Sequence, residues 1–285
     1  MSEQSAHGAL AGMLRNLRLT TMLHHSETVA LRAEHEGWSF GQYLRHLCEL
    51  ELQERTRRRT ERNLKASKLP PEKTFGNLQR KKLSVAVNRQ VPGLCEGHWL
   101  ERGDNLLVFG LPGRGKTHLV SAIGHELIQR GRRVLFVQTY ALVQQLLSAK
   151  RDLKLERTLG ELDNYELVIL DDLGYVQQSR EEMEVLFTFF AERYERKSTA
   201  ITSNLVFSEW TKIFKDPMTT AAAIDRLVHH SIILELNGKS IREEAAEEAL
   251  RTTIATTTAI PTTTTQASVT QTTTTQNESA EIGEV

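Results

Sequence analysis

Cysteine is nearly absent from this chain. Cys48 and Cys95 are its only two, too few for a disulfide framework or a four-cysteine zinc site. Both read as buried thiols in a reducing cytoplasm. No apolar run approaches the ~20 residues needed to cross a membrane. The start, Met1-Ser-Glu-Gln-Ser, lacks the basic opening and apolar core of a signal peptide, so the expectation is a cytoplasmic protein with no membrane partner. Net charge is also missing: 36 Lys/Arg balance 36 Asp/Glu, so total charge selects no partner. Proline is scarce, six in 285 residues, and two of the six fall together at Pro70-Pro71, where they end a helical region. What remains, 39% hydrophobic and 25% charged residues, is the composition of a globular protein with a polar appendage.

The charge is absent in sum but not in distribution. Leu52 to Arg89 holds twelve Lys/Arg and three acids, a local balance of +9. A positive segment in a neutral protein suggests contact with a polyanion. The plainer alternative, a solvated helix face running into a charged linker, stays open at this point.

Three regions follow from patterning. Residues 1–90 read as a helical domain. Leu10, Met13, Leu14 and Leu17 recur at helical spacing. A second helix starts at Ser39 with Gln42 as its capping-box partner, carries Phe40, Tyr43, Leu44, Leu47 and Leu50 as an apolar stripe, and runs into the arginine-rich face at Arg55–Arg62. These stripes read as core and subunit packing. Residues 91–250 alternate short apolar strands (Asn105–Phe109, Arg133–Val137, Leu167–Asp171, Thr199–Ser203, Ile232–Leu236) with helical patterns, which predicts an α/β fold with a parallel sheet covered on both faces. Ligands of such sheets bind at the carboxyl ends of the strands. Residues 251–285 form a threonine-rich tail with Thr-Thr-Thr-Thr-Gln twice. Lacking apolar residues for a core, it is expected to be disordered.

Chemistry concentrates at the strand ends. Gly110 to Thr117 reads Gly-Leu-Pro-Gly-Arg-Gly-Lys-Thr, the phosphate-binding pattern, between an apolar strand and a helix whose face carries Leu119, Val120, Ile123, Leu127 and Ile128. Its glycines let backbone N–H groups curl round a phosphate chain. Lys116 reaches the β- and γ-phosphates and the Thr117 hydroxyl faces Mg²⁺. The helix N-terminus adds a positive partial charge at the same point. Leu167-Val-Ile-Leu-Asp171-Asp172 delivers two acids at the end of a strand. Asp171 is assigned to Mg²⁺ and Asp172 to orienting or deprotonating an attacking water, although Asp172 is shorter than the glutamate usual there. Asn204 ends another strand, where its amide can meet the γ-phosphate or the lytic water. Arg226 can stabilise charge on the phosphates, in trans if it acts across subunits; it reads equally well as a surface partner of Asp225. His229-His230 has no third metal ligand at a useful spacing in the sequence, and a structural role is favoured.

Taken together, Gly110–Leu119 (GLPGRGKTHL), Leu170–Tyr175 (LDDLGY), Thr202–Trp210 (TSNLVFSEW), Asp225–Ser231 (DRLVHHS) and Asn237–Arg242 (NGKSIR) closely resemble the IstB-like ATP-binding proteins, helper ATPases of insertion-sequence transposition within the AAA+ superfamily, near the DnaC-type helicase loaders. The resemblance spans about residues 10–245 and leaves out the tail. It implies a five-stranded sheet in order 5-1-4-3-2, with Asn204 as sensor 1 between Lys116 and Asp172, and Arg226 as an inter-subunit finger. Gly110, Leu111, Pro112, Gly113, Arg114, Gly115, Lys116, Thr117 and His118 would bind the nucleotide, with ATP and Mg²⁺ as cofactors. It implies a protein that assembles with ATP on duplex DNA with little sequence preference, then recruits and stimulates a transposase. Lys150, Arg151, Lys154 and Arg157, which follow the second strand where DnaC-type relatives carry an added helical element, are candidate DNA contacts. The basic N-terminal helix is the other. A helicase loader and a nucleotide-gated DNA scaffold without turnover are the alternatives. Arg114 departs from the threonine frequent in AAA+ phosphate loops.

Overall fold

A computed structural model describes residues 3–174, 179–205, 209–210 and 224–237. The threonine-rich tail, and the segments expected to continue the Thr202–Trp210, Ala221–His230 and Asn237–Arg242 patterns, lie wholly or partly outside them.

At the centre is a sheet of β1 (Asn105–Phe109), β2 (Val134–Gln138), β3 (Leu167–Leu173), β4 (Ser198–Ser203) and β5 (Ser231–Glu235). Every pairing is parallel and the spatial order is β2-β3-β4-β1-β5, the expected 5-1-4-3-2 read from the other edge. Because side chains alternate faces along a strand, β1 sends Leu106 and Val108 into one core and Leu107 and Phe109 into the other. β3 divides Leu167 and Ile169 from Val168 and Leu170 in the same way. A strand buried on both faces must be apolar throughout, which is why these segments read as continuous hydrophobic runs. Each fully buried Leu, Ile or Val contributes about 1.5–3 kcal/mol.

One face is covered by α4 (Val85–Glu96), α5 (His98–Glu101) and α6 (Lys116–Gln129). The other is covered by α7 (Thr139–Arg151), α8 (Leu155–Leu162) and α9 (Arg180–Arg193). Asn105 stitches the centre: its side chain accepts from Thr199 N–H at 2.9 Å and donates to the Leu227 carbonyl at 3.2 Å.

Before the sheet come α1 (Glu3–Asn16), α2 (Thr20–Glu36) and α3 (Phe40–Ser67). α3 begins with the expected reciprocal cap between Ser39 and Gln42 and stops at Lys68, whose φ is 56°. α2 lacks a side-chain cap of its own. Instead Glu51, buried in α3, accepts from the N–H groups of Thr21 (2.8 Å) and Met22 (3.2 Å). Burial pushes the Glu51 carboxyl up, but those two N–H groups and Arg55 outweigh it and hold the pKa below the ordinary value. The small core here is Met22, Val29 and Leu47, with Leu14, Tyr43 and Leu50 against it. Several residues of the expected stripes face outward instead: Leu10 and Met13 on α1, Leu17 just after it, and Phe40 (94% exposed) and Leu44 on α3. Cys48, expected to be buried, is also exposed, because it lies off the side of α3 that packs on α2; Cys95 is buried.

The connection from α3 to α4 is packed. Leu69, Leu78 and Leu83 join the sheet's core, and two histidines on α6 hold the backbone down: His125 Nε2 lies 3.0 Å from the Pro70 carbonyl and His118 Nε2 lies 2.9 Å from that of Thr74. No helix among the described residues is long and apolar enough to cross a membrane.

Candidate nucleotide-binding site

The loop between β1 and α6 turns on glycine. Gly113 and Gly115 have φ of 78° and 83°, conformations that cost an L-residue strain. At Gly110 (φ 151°) a Cβ would stand 2.6 Å from the Leu236 carbonyl oxygen. The residue that follows β5 therefore presses on the loop's first residue, and no side chain fits there.

A cavity of about 450 Å³ opens beside this loop. Pro112, Gly113, Arg114, Gly115, Lys116, Thr117 and His118 line it, with Asp172 and Asn204 opposite. Three separate strand ends thus converge on one space, as sheet order dictates: β4 sits between β1 and β3. Lys116 is buried and its ammonium donates to the carbonyls of Gly110 (2.8 Å) and Leu111 (3.1 Å). Gly110 and Leu111 therefore enter as the backbone that holds this lysine. Arg114 carries a buried Nε with no hydrogen-bond partner, an unmet donor at the wall of a cavity.

The β3 corner has its own support. Asp171 is 6% exposed. Desolvation raises its pKa, opposed by hydrogen bonds from Thr202 and Thr117 and by the charge of Lys73, while Asp172 adds to the rise; the net direction is upward. Thr202, fully buried on β4, donates its hydroxyl to Asp171 Oδ1 at 2.7 Å and accepts the Asp172 N–H at 2.9 Å. The β3–β4 register shifts between Leu170 and Leu173, and Asp172 sits there at φ 57°. That irregularity separates two successive acids: Asp171 stays buried in the strand while Asp172 is exposed toward the cavity. The donor set fits a triphosphate with a divalent ion. It offers backbone N–H groups, a lysine and an arginine for phosphate oxygens, and a hydroxyl beside a carboxylate for the metal.

Arg226 is not among the residues lining this cavity. It lies on a helical segment at 224–228, with its guanidinium 4.5 Å over the Phe187 ring and Nη1 buried without a hydrogen-bond partner. Among the described residues it makes no ion pair with Asp225. Of the candidate DNA contacts, Lys150 pairs with Glu184 (2.9 Å), Arg157 with Glu161 (3.0 Å) and Lys154 with Asp152 (3.7 Å). Arg151 is exposed and has no such partner among the described residues. His229 and His230 do have an acid beside them, which the sequence hid: Glu195 brings its carboxylate within 4.8 Å of their ring nitrogens, all three side chains being exposed.

Sequence reasoning missed the other wall of the cavity. Lys73, Asn77, Leu78 and Gln79 line it from the segment after α3. The Pro70-Pro71 turn followed by a lysine was the available signal. Thr202 carried no signal of its own: its contact with the two acids follows from the pairing of β4 with β3.

Five parallel strands in this order, with a glycine loop feeding a helix and acids and an asparagine at the adjacent strand ends, are a P-loop α/β fold of the AAA+ type. Among solved structures, the replication initiator DnaA bound to AMPPCP and single-stranded DNA superposes with a TM-score of 0.52 at 19% identity, covering 65% of this chain and 56% of that one; at that identity the likeness shows the fold. The model of the IstB-like ATP binding proteins matches residues 12–249, and the chain belongs to that family. An insertion-sequence ATP-binding protein from Sinorhizobium fredii is 45% identical over 240 residues, 84% of this chain and 80% of its own length. One named for insertion sequence IS21 of Pseudomonas aeruginosa is 33% identical over 248 residues, 86% and 92% of the two chains.

Proposed function

We propose that this protein is an ATP-hydrolysing, DNA-binding helper of a transposase, assembling on duplex DNA when ATP is bound. The observation that carries the reading is the convergence of Lys116, Thr117, Asp172 and Asn204 on one cavity in a chain of this family. In it, Lys116 and Arg114 bind the phosphate oxygens that backbone N–H groups also meet. Thr117 and Asp171 are the residues that would hold Mg²⁺, which when bound neutralises charge on the phosphates. Asp172 orients the attacking water and takes its proton, and Asn204 fixes that water or the γ-phosphate. Lys73 adds a cation from the segment after α3. Arg226, away from its own chain's cavity, serves the site of a neighbouring copy, so nucleotide bridges subunits. Lys150, Arg151, Lys154 and Arg157 are one set of DNA contacts, salt-sensitive and largely indifferent to sequence.

The test is ATP turnover with and without duplex DNA. Turnover stimulated by DNA, abolished with nucleotide binding in Lys116→Ala, is expected. Asp172→Asn should keep nucleotide and DNA while losing hydrolysis. Undiminished ATP affinity in Lys116→Ala would remove the phosphate-loop assignment. Capture of a replicative helicase in place of a transposase would turn the same machinery into a helicase loader.

A further inference from the structure

The arginine-rich face of α3 borders two hollows that the nucleotide site does not use. The first, of about 800 Å³, is lined by Arg55, Arg58, Arg59, Arg62 and Lys65 together with Leu52, Thr56 and Glu61. The second, of about 490 Å³, lies where α3 meets the sheet; Arg59 and Arg62 line it too, now facing Arg133, Tyr165 and Glu166. Shared residues make the two hollows one continuous groove. We infer that this groove is the main duplex-DNA contact of the protein, taking the sugar-phosphate backbone along α3. The inference rests on the DNA-binding reading above and adds where the duplex lies.

Charge is the first argument. The two acids of the groove are already engaged: Glu61 by Arg57 and Glu166 by Arg132. Arg55 and Arg58 are likewise held by Glu51 and Glu54. Arg59, Arg62 and Lys65 are exposed and have no carboxylate partner among the described residues. The arrangement leaves a row of uncompensated cations, whereas three of the four candidates after β2 already pair with carboxylates.

Construction is the second. Gly131 (φ 84°) stands against Arg59: a Cβ there would be 2.6 Å from Nη2. Asn63 donates to the Arg132 carbonyl at 3.4 Å, tying α3 to the entry of β2. The groove is therefore shaped by the sheet's own loops as well as by the helix.

The lining also selects among polyanions. Single strands are gripped by stacking bases on aromatic rings. Among the described residues Tyr165 is the one aromatic residue lining either hollow, and the Arg133 guanidinium covers it at 5.7 Å. A membrane surface calls for an apolar face beside the cations, and among the described residues Leu52 is the only large apolar side chain lining the wider hollow. From Arg55 to Lys65 the helix advances roughly 15 Å, a length over which one strand of a duplex presents about four phosphates.

Position separates this groove from the nucleotide. Arg133 and Glu166 precede β2 and β3, whereas Asp172 and Asn204 lie at strand exits. The groove lies at the opposite end of the sheet. The chain leaving α3 passes through Pro70-Pro71 to Lys73 at the cavity wall, so one continuous segment touches both sites.

The experiment is fluorescence anisotropy of the full chain with a non-hydrolysable ATP analogue and Mg²⁺. The probes are a labelled 50-base-pair duplex and a single strand of the same length, titrated between 0.05 and 0.3 M salt. Arg59→Gln/Arg62→Gln/Lys65→Gln should weaken duplex binding on the order of a hundredfold at 0.1 M salt and flatten the log–log salt slope by about 2.7, since each lost phosphate contact removes about 0.9. Its affinity for a fluorescent ATP analogue should hold, which checks folding. Arg59→Lys/Arg62→Lys should stay near wild type, because a phosphate contact needs charge more than a fork. Lys150→Gln/Arg151→Gln/Lys154→Gln/Arg157→Gln should have the smaller effect. Wild-type duplex affinity and slope in the triple glutamine variant, or loss confined to the single strand, would overturn the assignment while leaving DNA binding intact. Failure of the wild-type protein to bind duplex at all would overturn the DNA-binding reading along with it.

Discussion

Thr202→Val removes one oxygen atom and keeps the shape of the side chain. That oxygen accepts the Asp172 N–H at 2.9 Å and donates to Asp171 Oδ1 at 2.7 Å inside a strand that is fully buried. Without it, the Asp171 carboxylate loses a bond to a charged group, worth about 1.5–3 kcal/mol, and the Asp172 N–H is left without its partner, at about 1–3 kcal/mol. Partial relaxation at the β3–β4 register shift offsets some of this, so a loss of about 3 kcal/mol is expected. For a folded unit of this size, that lowers Tm by roughly 6–12 °C. Function should suffer selectively. Lys116 and the loop glycines are untouched, so ATP affinity should change little, while Asp172 loses the bond that fixes its φ of 57° and turnover should fall at least tenfold, as misplacing a catalytic group does. Calorimetry, nucleotide titration and steady-state hydrolysis measure the three quantities. A Tm within 2 °C of wild type with unchanged turnover would refute the idea that Thr202 holds the two acids in their separate roles.

Glu51→Gln should loosen the N-terminal helices by about 1–2 kcal/mol through a weaker cap on α2, read by hydrogen exchange in residues 20–36. Because the folded pKa of Glu51 lies below its ordinary value, its contribution is present above the unfolded pKa, about 4.3, and fades as pH falls through the folded value. The wild-type advantage should therefore shrink on acidification, and a difference independent of pH between 7 and 3 would contradict the role. Arg226→Ala should bind ATP normally yet hydrolyse it poorly. Mixing it with Lys116→Ala should restore some turnover, since each variant supplies the half-site the other lacks, and absence of rescue would argue against a finger acting in trans.

How much of this was legible in the sequence depends on how local the signal is. The phosphate loop, its strand and its helix are contiguous, and the strands buried on both faces announce themselves as apolar runs, so sheet and loop were readable from residues alone. The order of the strands and the placing of Asn204 between Lys116 and Asp172 came from the family likeness. α2 escaped because its buried positions, Met22, Val29 and Ala33, are sparse among polar neighbours and its cap comes from Glu51, thirty residues away. Leu10, Met13 and Leu17 kept helical spacing without being buried, since periodicity reports a face and not what covers it. Lys73 looked like part of a charged linker because nothing local shows that His118 and His125 fasten that linker over the cavity. Glu195 was unreadable beside His229-His230 for the same reason: its neighbourhood is made by the sheet.

The most direct measurement is the mass of the protein in solution by light scattering, taken alone, with ATP analogue and Mg²⁺, with duplex DNA, and with both. Nucleotide and duplex together should yield a discrete assembly larger than one chain, absent in Lys116→Ala. A single-chain mass under all four conditions would contradict the claim that nucleotide joins copies of this protein on DNA.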